Sequence, residues 1–442
     1  MKQNIVFLLL LVAFLAASAP VLAQQNATDD LIKTLQSRVK RYPDHAGYAA
    51  LGAAYLQKGR ETADAADYEL AKNALEKSLD LVSNDPSAAF ATTQMAVLCM
   101  VEHRFGDALA WAQKALALGS GDPSPWAIAG DALADMGDYK GASGAYAHLT
   151  STYGSEDEKL AYSYQRDSRM SFLRFVAGDT QGAIQLMRSA VRTAIETHMP
   201  AENIAWSRYQ LGEVLFLAGE TNAAENAYLA SLDTCPGYYR ALAGLAKVRA
   251  AQGRYLDAVK LYNQAIAKVP YPEYAAALGD IYRHLGQLDN AKKQYDLVEF
   301  TAYLSQINRQ IHNRDLALFY ADHDLKLPES LALAQNELEV RRDIYTWDVV
   351  AWSLFKNGKL REASEAISNA LEQGTKDPQL FFHAGTIYER LGDSAKAQEF
   401  LRRALQTNPR FHITYAETAR QTLDRINRRQ SQVSAPEASN AH

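Results

Sequence analysis

The stretch Ala277–Tyr295, ALGDIYRHLGQLDNAKKQY, has small residues at three regularly placed positions. Gly279 lies in the middle of one helical segment, Gly286 lies at a turn, and Ala291 opens a second helical segment. Two helices pack closely where facing residues are small, and glycine readily adopts the left-handed backbone that ends many helices. The stretch therefore predicts two antiparallel helices joined by a tight turn.

The same order of residues returns along most of the chain, for example at Leu211–Tyr228 and Ala384–Ala404. The alanine that opens each second helix recurs 33 or 34 residues later within runs of neighbouring units. These alanines are Ala108, Ala142, Ala224, Ala258, Ala291, Ala363 and Ala397. A motif repeated at this spacing predicts stacked helical hairpins.

The repeated unit resembles the tetratricopeptide repeat. The resemblance implies an all-α fold, a right-handed α-solenoid of about ten helical hairpins with a C-terminal capping helix. A glycine is expected to end the first helix of most hairpins. These turn glycines are Gly59, Gly137, Gly219, Gly253, Gly286, Gly358 and Gly392.

Three stretches depart from the pattern. The first unit carries an insertion, Arg60–Glu69, between its two helices. The fourth unit has a first helix near Lys159–Val176, with Ser171 at the small central position, and the eighth turns near Asp322 and restarts near Pro328. Such insertions form loops on one face of a solenoid, often a binding face, or reflect tolerated variation in loop length.

The N-terminus has the pattern of a secretory signal peptide. Lys2 precedes an apolar run, Ile5–Ala17, and Val21-Leu22-Ala23 offers a cleavage site. An uncleaved anchor is the alternative, although the run is shorter than the ~20 residues that a membrane span needs. The predicted division is signal peptide 1–23, N-terminal helix or linker 24–43, repeats 44–300, degenerate repeat 301–344, C-terminal repeat pair 345–410, capping helix 411–429 and disordered tail 430–442.

Composition excludes several classes of partner. The chain has 46 Lys and Arg against 51 Asp and Glu, which gives no basic face for nucleic acid or for anionic membranes. The two cysteines, Cys99 and Cys235, lie several repeats apart and are interpreted as small packing residues. The residues around Trp352 and Phe382 resemble the ending of a group of exported bacterial tetratricopeptide-repeat proteins, which implies a periplasmic or extracellular location.

Catalytic signatures are absent from the sequence: it has no nucleophile-elbow, zinc-protease, phosphate-binding or dinucleotide-binding motif. The one compact cluster of metal-ligating residue types is Asp322-His323-Asp324. Three adjacent side chains cannot all point at one ion, so no metal, no cofactor and no enzymatic activity are predicted.

The resemblance implies that the first helices line a concave groove. Aromatic anchors in such a groove would hold a protein or an extended peptide. Packing under the neighbouring repeat is the alternative for several of them, and stacking on sugars in an accessory or assembly subunit of an envelope complex is an alternative function. The candidate partner-binding residues are Phe90, Phe172, Phe175, Trp206, Tyr209, Glu213, Phe216, Trp352, Phe355 and Phe382. The polar groups expected among them are Asp131, Glu213, Lys247, Asp280, Arg283 and Arg390.

The positions assigned to the last repeats predict that two glycines differ in how well they tolerate substitution by leucine. Gly385 is expected at a helix–helix contact, where leucine would overpack the core. Gly374 is expected in a solvent-facing join before Asp377, where leucine would cost little.

Overall fold

The computed structural model describes residues 27–62, 64–119, 121–149, 156–307 and 313–434. The predicted signal peptide and the end of the predicted tail, from residue 435, lie outside the described residues. Every regular element in the described part of the chain is helical. The described residues form two compact units: unit 1 runs to Arg166 and includes Leu232–Pro236 and residues 306–307, and unit 2 holds the remainder.

Unit 1 contains seven complete helices, one short 3₁₀ turn at Pro86–Ala88 and the beginning of an eighth helix. They are α1 (27–41), α2 (His45–Thr62), α3 (Ala65–Leu81), α4 (Ala89–Val101), α5 (Phe105–Ala117), α6 (Ser124–Asp135), α7 (Tyr139–Ala147) and α8 (Glu156–Val176). The predicted N-terminal helix is α1, and its residues Ile32, Leu35 and Val39 pack into the core of the first hairpin.

Unit 2 contains the second half of α8 and the helices that follow, except for a few residues at the ends of α11 and α15. They are α9 (Thr180–Glu196), α10 (Ala201–Leu217), α11 (Thr221–Thr234), α12 (Tyr239–Ala251), α13 (Tyr255–Lys268), α14 (Pro272–His284), α15 (Leu288–Ile307), α16 (Asn313–Asp322), α17 (Leu327–Val340), α18 (Ile344–Lys356), α19 (Leu360–Leu371), α20 (Pro378–Leu391), α21 (Ser394–Thr407) and α22 (Tyr415–Ser434). The helix α22 extends into residues 430–434, which belong to the predicted tail.

Within the described residues, helices α2 to α21 pair in order into ten hairpins, which confirms the predicted all-α solenoid. The central glycine of a first helix touches a large side chain of its partner. A Cβ placed on Gly279 would lie 2.4 Å from Cε1 of Tyr295, and one placed on Gly130 would lie 2.3 Å from Cε1 of Tyr146. Any larger residue would separate the two helices, because packed interiors leave no spare volume.

Most of the expected turn glycines end their helices in the left-handed conformation. Gly286 has φ +73° and Gly392 has φ +86°, values that side chains with a Cβ rarely adopt. Gly59 is the exception, because α2 continues through it to Thr62 and its Cα faces the Tyr68 ring. The expected loop Arg60–Glu69 does not form, since the added residues lengthen α2 and α3.

The other two irregular units follow the predicted pattern closely. Ser171 is buried on α8 and donates its hydroxyl to the Ala183 carbonyl at 2.7 Å, so a small polar residue replaces the usual glycine. The eighth unit turns after Asp322, and α17 starts at Leu327, one residue before the expected Pro328.

Unit 2 contains a contact between hairpins that are distant in sequence. The Asn408 side-chain amide, after α21, donates to the Phe216 carbonyl of α10 at 2.7 Å, and Asn408 is fully buried. A Cβ on Gly219 would lie 2.3 Å from the Thr407 carbonyl oxygen, and one on Gly178 would lie 2.2 Å from the Gly374 carbonyl oxygen. We call this set the return contact, because the ninth and tenth hairpins pack on the turns of the fourth and fifth.

Substituting Gly385 with leucine is expected to lower the free energy of unfolding by about 1–3 kcal/mol or more, because it overpacks the core. A Cβ at Gly385 would already lie 2.6 Å from Cγ of Leu401.

The expectation that Gly374 is a permissive control is wrong, since its φ of +84° makes any side chain strained. Gly144, exposed on α7 with no atom within 4 Å of its Cβ position, is the proper control. Urea unfolding that shows equal losses for Gly385→Leu and Gly144→Leu would contradict the assigned register.

Candidate functional site

Successive first helices contact one another in unit 2: α10 contacts α12, α14 contacts α16, and α16 contacts α18. These helices therefore follow one another along one side of unit 2, the side on which the resemblance predicts a groove. We call the part formed by α10, α12 and α14 the inner groove.

One row of charged residues crosses the inner groove. Glu213, Lys247 and Asp280 each follow the small central residue of their helix, and we call them the central row. The Lys247 ammonium contacts a Glu213 carboxylate oxygen at 2.7 Å and lies 5.0 Å from the centre of the Phe216 ring. Both members of the ion pair remain partly exposed, so the pair stays in contact with water.

Tyrosines of the second helices orient the acids of this row. The Tyr228 hydroxyl donates to Glu213 at 2.5 Å, and the Tyr295 hydroxyl donates to Asp280 at 2.8 Å. Burial, together with the adjacent Glu213, raises the pKa of Tyr228 well above its usual value, so its phenol remains a proton donor. The carboxylates are therefore held in one orientation before any ligand arrives.

The same link between tyrosine and acid occurs in unit 1, where the Tyr146 hydroxyl donates to Asp131 at 2.8 Å. Each tyrosine follows its acid by 15 residues. Where leucine takes the tyrosine's place against the central glycine, as Leu401 does at Gly385, the residue after that glycine is uncharged Thr386. In these three hairpins the acid and the tyrosine hydroxyl therefore occur together.

A second row lies closer to the N-termini of the same helices. Trp206, Arg240 and Glu273 each precede the small central residue by six positions, and we call them the N-terminal row. The Arg240 guanidinium lies 5.2 Å from the centre of the Tyr239 ring and 5.7 Å from that of Tyr271. These two rings hold the cation through its attraction to their electron-rich faces.

Glu273 is exposed to solvent but lies among protein groups on the groove. Desolvation by the surrounding protein, with the nearby Asp315 carboxylate, raises the pKa of Glu273 to about 7. Sequence inspection missed both Glu273 and Arg240 as site residues. Their spacing was a usable signal, since residues 206, 240 and 273 follow the repeat of 33 or 34.

The C-terminal first helices carry a buried aromatic cluster. The Trp352 indole N–H donates to Asp322 at 2.7 Å, and the ring stacks on His383 with centroids 4.1 Å apart. Phe382 stacks on Tyr415, the first residue of α22, with centroids 4.4 Å apart. The surface of these first helices is therefore covered by the chain's own side chains.

Residues 322–324 point to three different partners. Asp322 accepts from Trp352, His323 bonds Asp280 through Nε2 at 2.9 Å, and Asp324 pairs with Lys356 at 2.8 Å. Burial lowers the pKa of His323, but the hydrogen bond to Asp280, the charge of that carboxylate and the hydrogen bond to the Phe319 carbonyl together outweigh it, so the net shift is upward. Within the described ranges no group of three or more His, Cys, Asp or Glu side chains is placed to hold a metal ion.

The candidate partner-binding residues divide by exposure. Four are buried in helix packing and present little surface to a ligand: Phe175, Phe216, Trp352 and Phe382. Four are partly exposed: Trp206, Tyr209, Glu213 and Phe355. Phe172 in unit 2 is 37% exposed and Phe90 in unit 1 is 51% exposed. Of the partly exposed set, three lie together on α10, which makes this helix the candidate site.

A cleft of about 340 Å³ lies beside the return contact rather than on the inner groove. The α8–α9 turn lines it at Gly178 and Asp179, together with Lys376 and Thr407. Asp179 caps α9 by accepting from the Gly182 N–H, so that helix N-terminus already has its acceptor.

Comparison with protein families places this architecture in a known class. Residues 243–301 and 351–410 match the tetratricopeptide repeat family. The first match covers most of the sixth and seventh hairpins, and the second covers most of the ninth and all of the tenth. These two segments are tetratricopeptide repeats, and repeats of this family indicate a protein-interaction scaffold.

Individual relatives are distant. The CTR9 homolog of Arabidopsis thaliana is 26% identical over 214 residues, which are 46% of this chain and 19% of that protein. Yeast Tom70 is 14% identical over 96% of this chain and 97% of its own, with a TM-score of 0.34. A tetratricopeptide repeat protein from Parabacteroides merdae is 18% identical over 60% of this chain and 99% of its own, with a TM-score of 0.34.

Among the helices formed by the described residues, none combines the length and apolarity that crossing a bilayer requires.

Proposed function

We propose that this protein is a non-enzymatic adaptor that binds an extended protein segment in the inner groove of unit 2. The observation that carries the proposal is the exposed surface of α10. Trp206 and Tyr209 are partly exposed, and they lie one helical turn apart, with Glu213 one further turn along. Aromatic rings beside a charged pair form the kind of surface that anchors peptides.

Local packing supports a preformed site. Tyr209 packs against Tyr228 and Tyr238, with ring centroids 6.1 and 6.5 Å away. Glu213 is held by both Tyr228 and Lys247. A surface whose rotamers are already set loses little conformational entropy when a ligand binds.

We further propose that the adaptor acts in the cell envelope or outside the cell, after export by the secretory route. The basis is the signal-peptide pattern of residues 1–23 and the resemblance of the C-terminal repeats to exported proteins. Amino-terminal sequencing of the exported protein tests this proposal, with a start at Gln24 expected. Recovery of intact Met1 in a membrane fraction would favour an anchor.

Substituting Trp206 with alanine is expected to weaken peptide binding by about thirtyfold, equivalent to about 2 kcal/mol, while the melting temperature stays unchanged. The large ring contributes contact area at the groove surface, and its partial exposure limits the loss of core packing. Peptides selected from a random displayed library against the mature chain serve as ligands, with affinity measured by fluorescence anisotropy.

The matched control is Tyr42→Ala, which removes a 65% exposed ring from unit 1 and should leave affinity unchanged. Equal affinity of wild type and a folded Trp206→Ala variant would place the site elsewhere. Competition of the selected peptides by free sugars would favour a carbohydrate ligand instead.

A further inference from the structure

Arg240 and Glu273 carry opposite charges at the same position of successive first helices, 33 residues apart. Throughout the described part of the chain, neither has an oppositely charged side chain within ion-pair distance. Arg240 contacts tyrosine rings, and Glu273 has Asp315, another acid, as the neighbour that most affects its charge. Two formal charges thus lie open on the inner groove.

The neighbouring central row shows that this spacing permits pairing. Glu213 and Lys247 lie 34 residues apart on successive first helices and meet at 2.7 Å. Arg240 instead contacts the rings of Tyr239 and Tyr271, the second of which lies two residues before Glu273, and within the described residues it forms no ion pair with that acid. Leaving charges unpaired among protein groups costs free energy, so such groups commonly serve recognition.

Each group has a definite chemical preference. A guanidinium held against aromatic rings keeps N–H groups for a carboxylate, which it can bind through two parallel hydrogen bonds. A glutamate with a neighbouring acid favours a cation, because a positive charge relieves the repulsion. The pair is therefore complementary to a ligand that carries both charges.

We propose that the inner groove recognises an extended protein segment in which an acidic side chain binds Arg240 and a basic side chain binds Glu273. This inference rests on the proposed function and names the partner's chemistry. Packed helices lie about 8–10 Å apart. A polyproline-type segment rises about 3.1 Å per residue with three residues per turn, so residues three apart lie on one face and span about 9 Å.

The pH dependence of peptide affinity supplies a supporting measurement, because it depends on the protonation of Glu273. Its raised pKa of about 7 means that the side chain is largely protonated below neutral pH and charged above it. Capture of a basic side chain requires the charged form. Affinity is therefore expected to rise as pH increases through 7; the charged groups that face Glu273 are Asp315, Arg240, Glu213 and Lys247.

The test uses synthetic proline-rich peptides with Glu and Lys three residues apart, in both orders, and the full mature chain. Fluorescence anisotropy is expected to show one order binding about tenfold tighter than peptides in which either charge is replaced by Gln. Arg240→Gln should abolish the preference for Glu while keeping that for Lys, and Glu273→Gln should do the reverse.

Two controls make the outcome decisive. Arg254→Gln removes an exposed arginine paired with Asp257 on the α12–α13 turn and should change neither preference. Arg240→Lys keeps the charge in a folded protein and should restore part of the preference if Arg240→Gln proves unstable.

Failure of this inference is distinguishable from failure of the proposed function. Library peptides that depend on Trp206 but need neither charge would overturn the inference and leave the groove as a binding site. Equal affinity for charged and uncharged peptides, or insensitivity to Arg240→Gln, would also overturn it. The absence of any peptide that depends on Trp206 or on these charges would overturn both proposals.

Discussion

Replacing Tyr228 with alanine is expected to lower the free energy of unfolding by about 4 kcal/mol, the cost typical of truncating a buried aromatic ring. Tyr228 is fully buried. Cβ atoms placed on Gly212 and Gly244 would both lie within 2.5 Å of its ring, so the ring fills the space between α10 and α12. Its loss leaves a cavity between two hairpins and removes the donor to Glu213.

Tyr228→Phe separates packing from hydrogen bonding. It keeps the ring and should cost only about 1 kcal/mol, since Glu213 retains its ion pair with Lys247. Urea unfolding followed by circular dichroism measures both losses. An alanine variant no less stable than the phenylalanine variant would show that the ring does not hold these hairpins together.

Substituting Gly219 with alanine is expected to lower stability by roughly 3 kcal/mol, as the sum of backbone strain and a lost contact. Its φ of +80° costs about 1–2 kcal/mol for any residue with a Cβ. The new Cβ would also lie 2.3 Å from the Thr407 carbonyl, and a backbone atom has little freedom to move away. The return contact, including the Asn408 hydrogen bond to Phe216, would open.

Gly253→Ala is the matched control for this prediction. Gly253 has φ +77° but no atom within 4 Å of its Cβ position, so it should show the backbone cost alone. Hydrogen exchange should accelerate around Asn408 in Gly219→Ala and remain slow there in Gly253→Ala. Equal stability losses and unchanged exchange in both variants would show that the return contact contributes nothing.

The hairpins could be predicted from sequence because their signal is local. A small residue, a turn glycine and an alanine recur at one spacing, and each acts on neighbours within about 20 residues, as Gly279 does on Tyr295. The insertion at Arg60–Glu69 was misjudged for a related reason. Its residues continue a helix as readily as they form a loop, and packing of α2 on α3 decides between them.

The candidate site was predicted only in part. The position of α10 and the charges of Glu213 and Lys247 followed from the repeat. The exposure of each side chain could not be predicted from the repeat. Phe216 and Trp206 were both expected to line the groove, but Phe216 is buried and Trp206 is partly exposed. Burial depends on which side chain of the next repeat covers the ring, as Lys247 partly covers Phe216.

The sequence by itself determined that this protein is a series of about ten helical hairpins, because helix pairing depends on residues close together in the chain. Tertiary structure alone decided the return contact between Phe216 and Asn408, which lie 192 residues apart. It also decided that Glu213 forms an ion pair with Lys247, whereas Arg240 and Glu273 form no ion pair with each other. The physical reason is that small rotations between hairpins accumulate along a solenoid, and no local residue pattern records their sum.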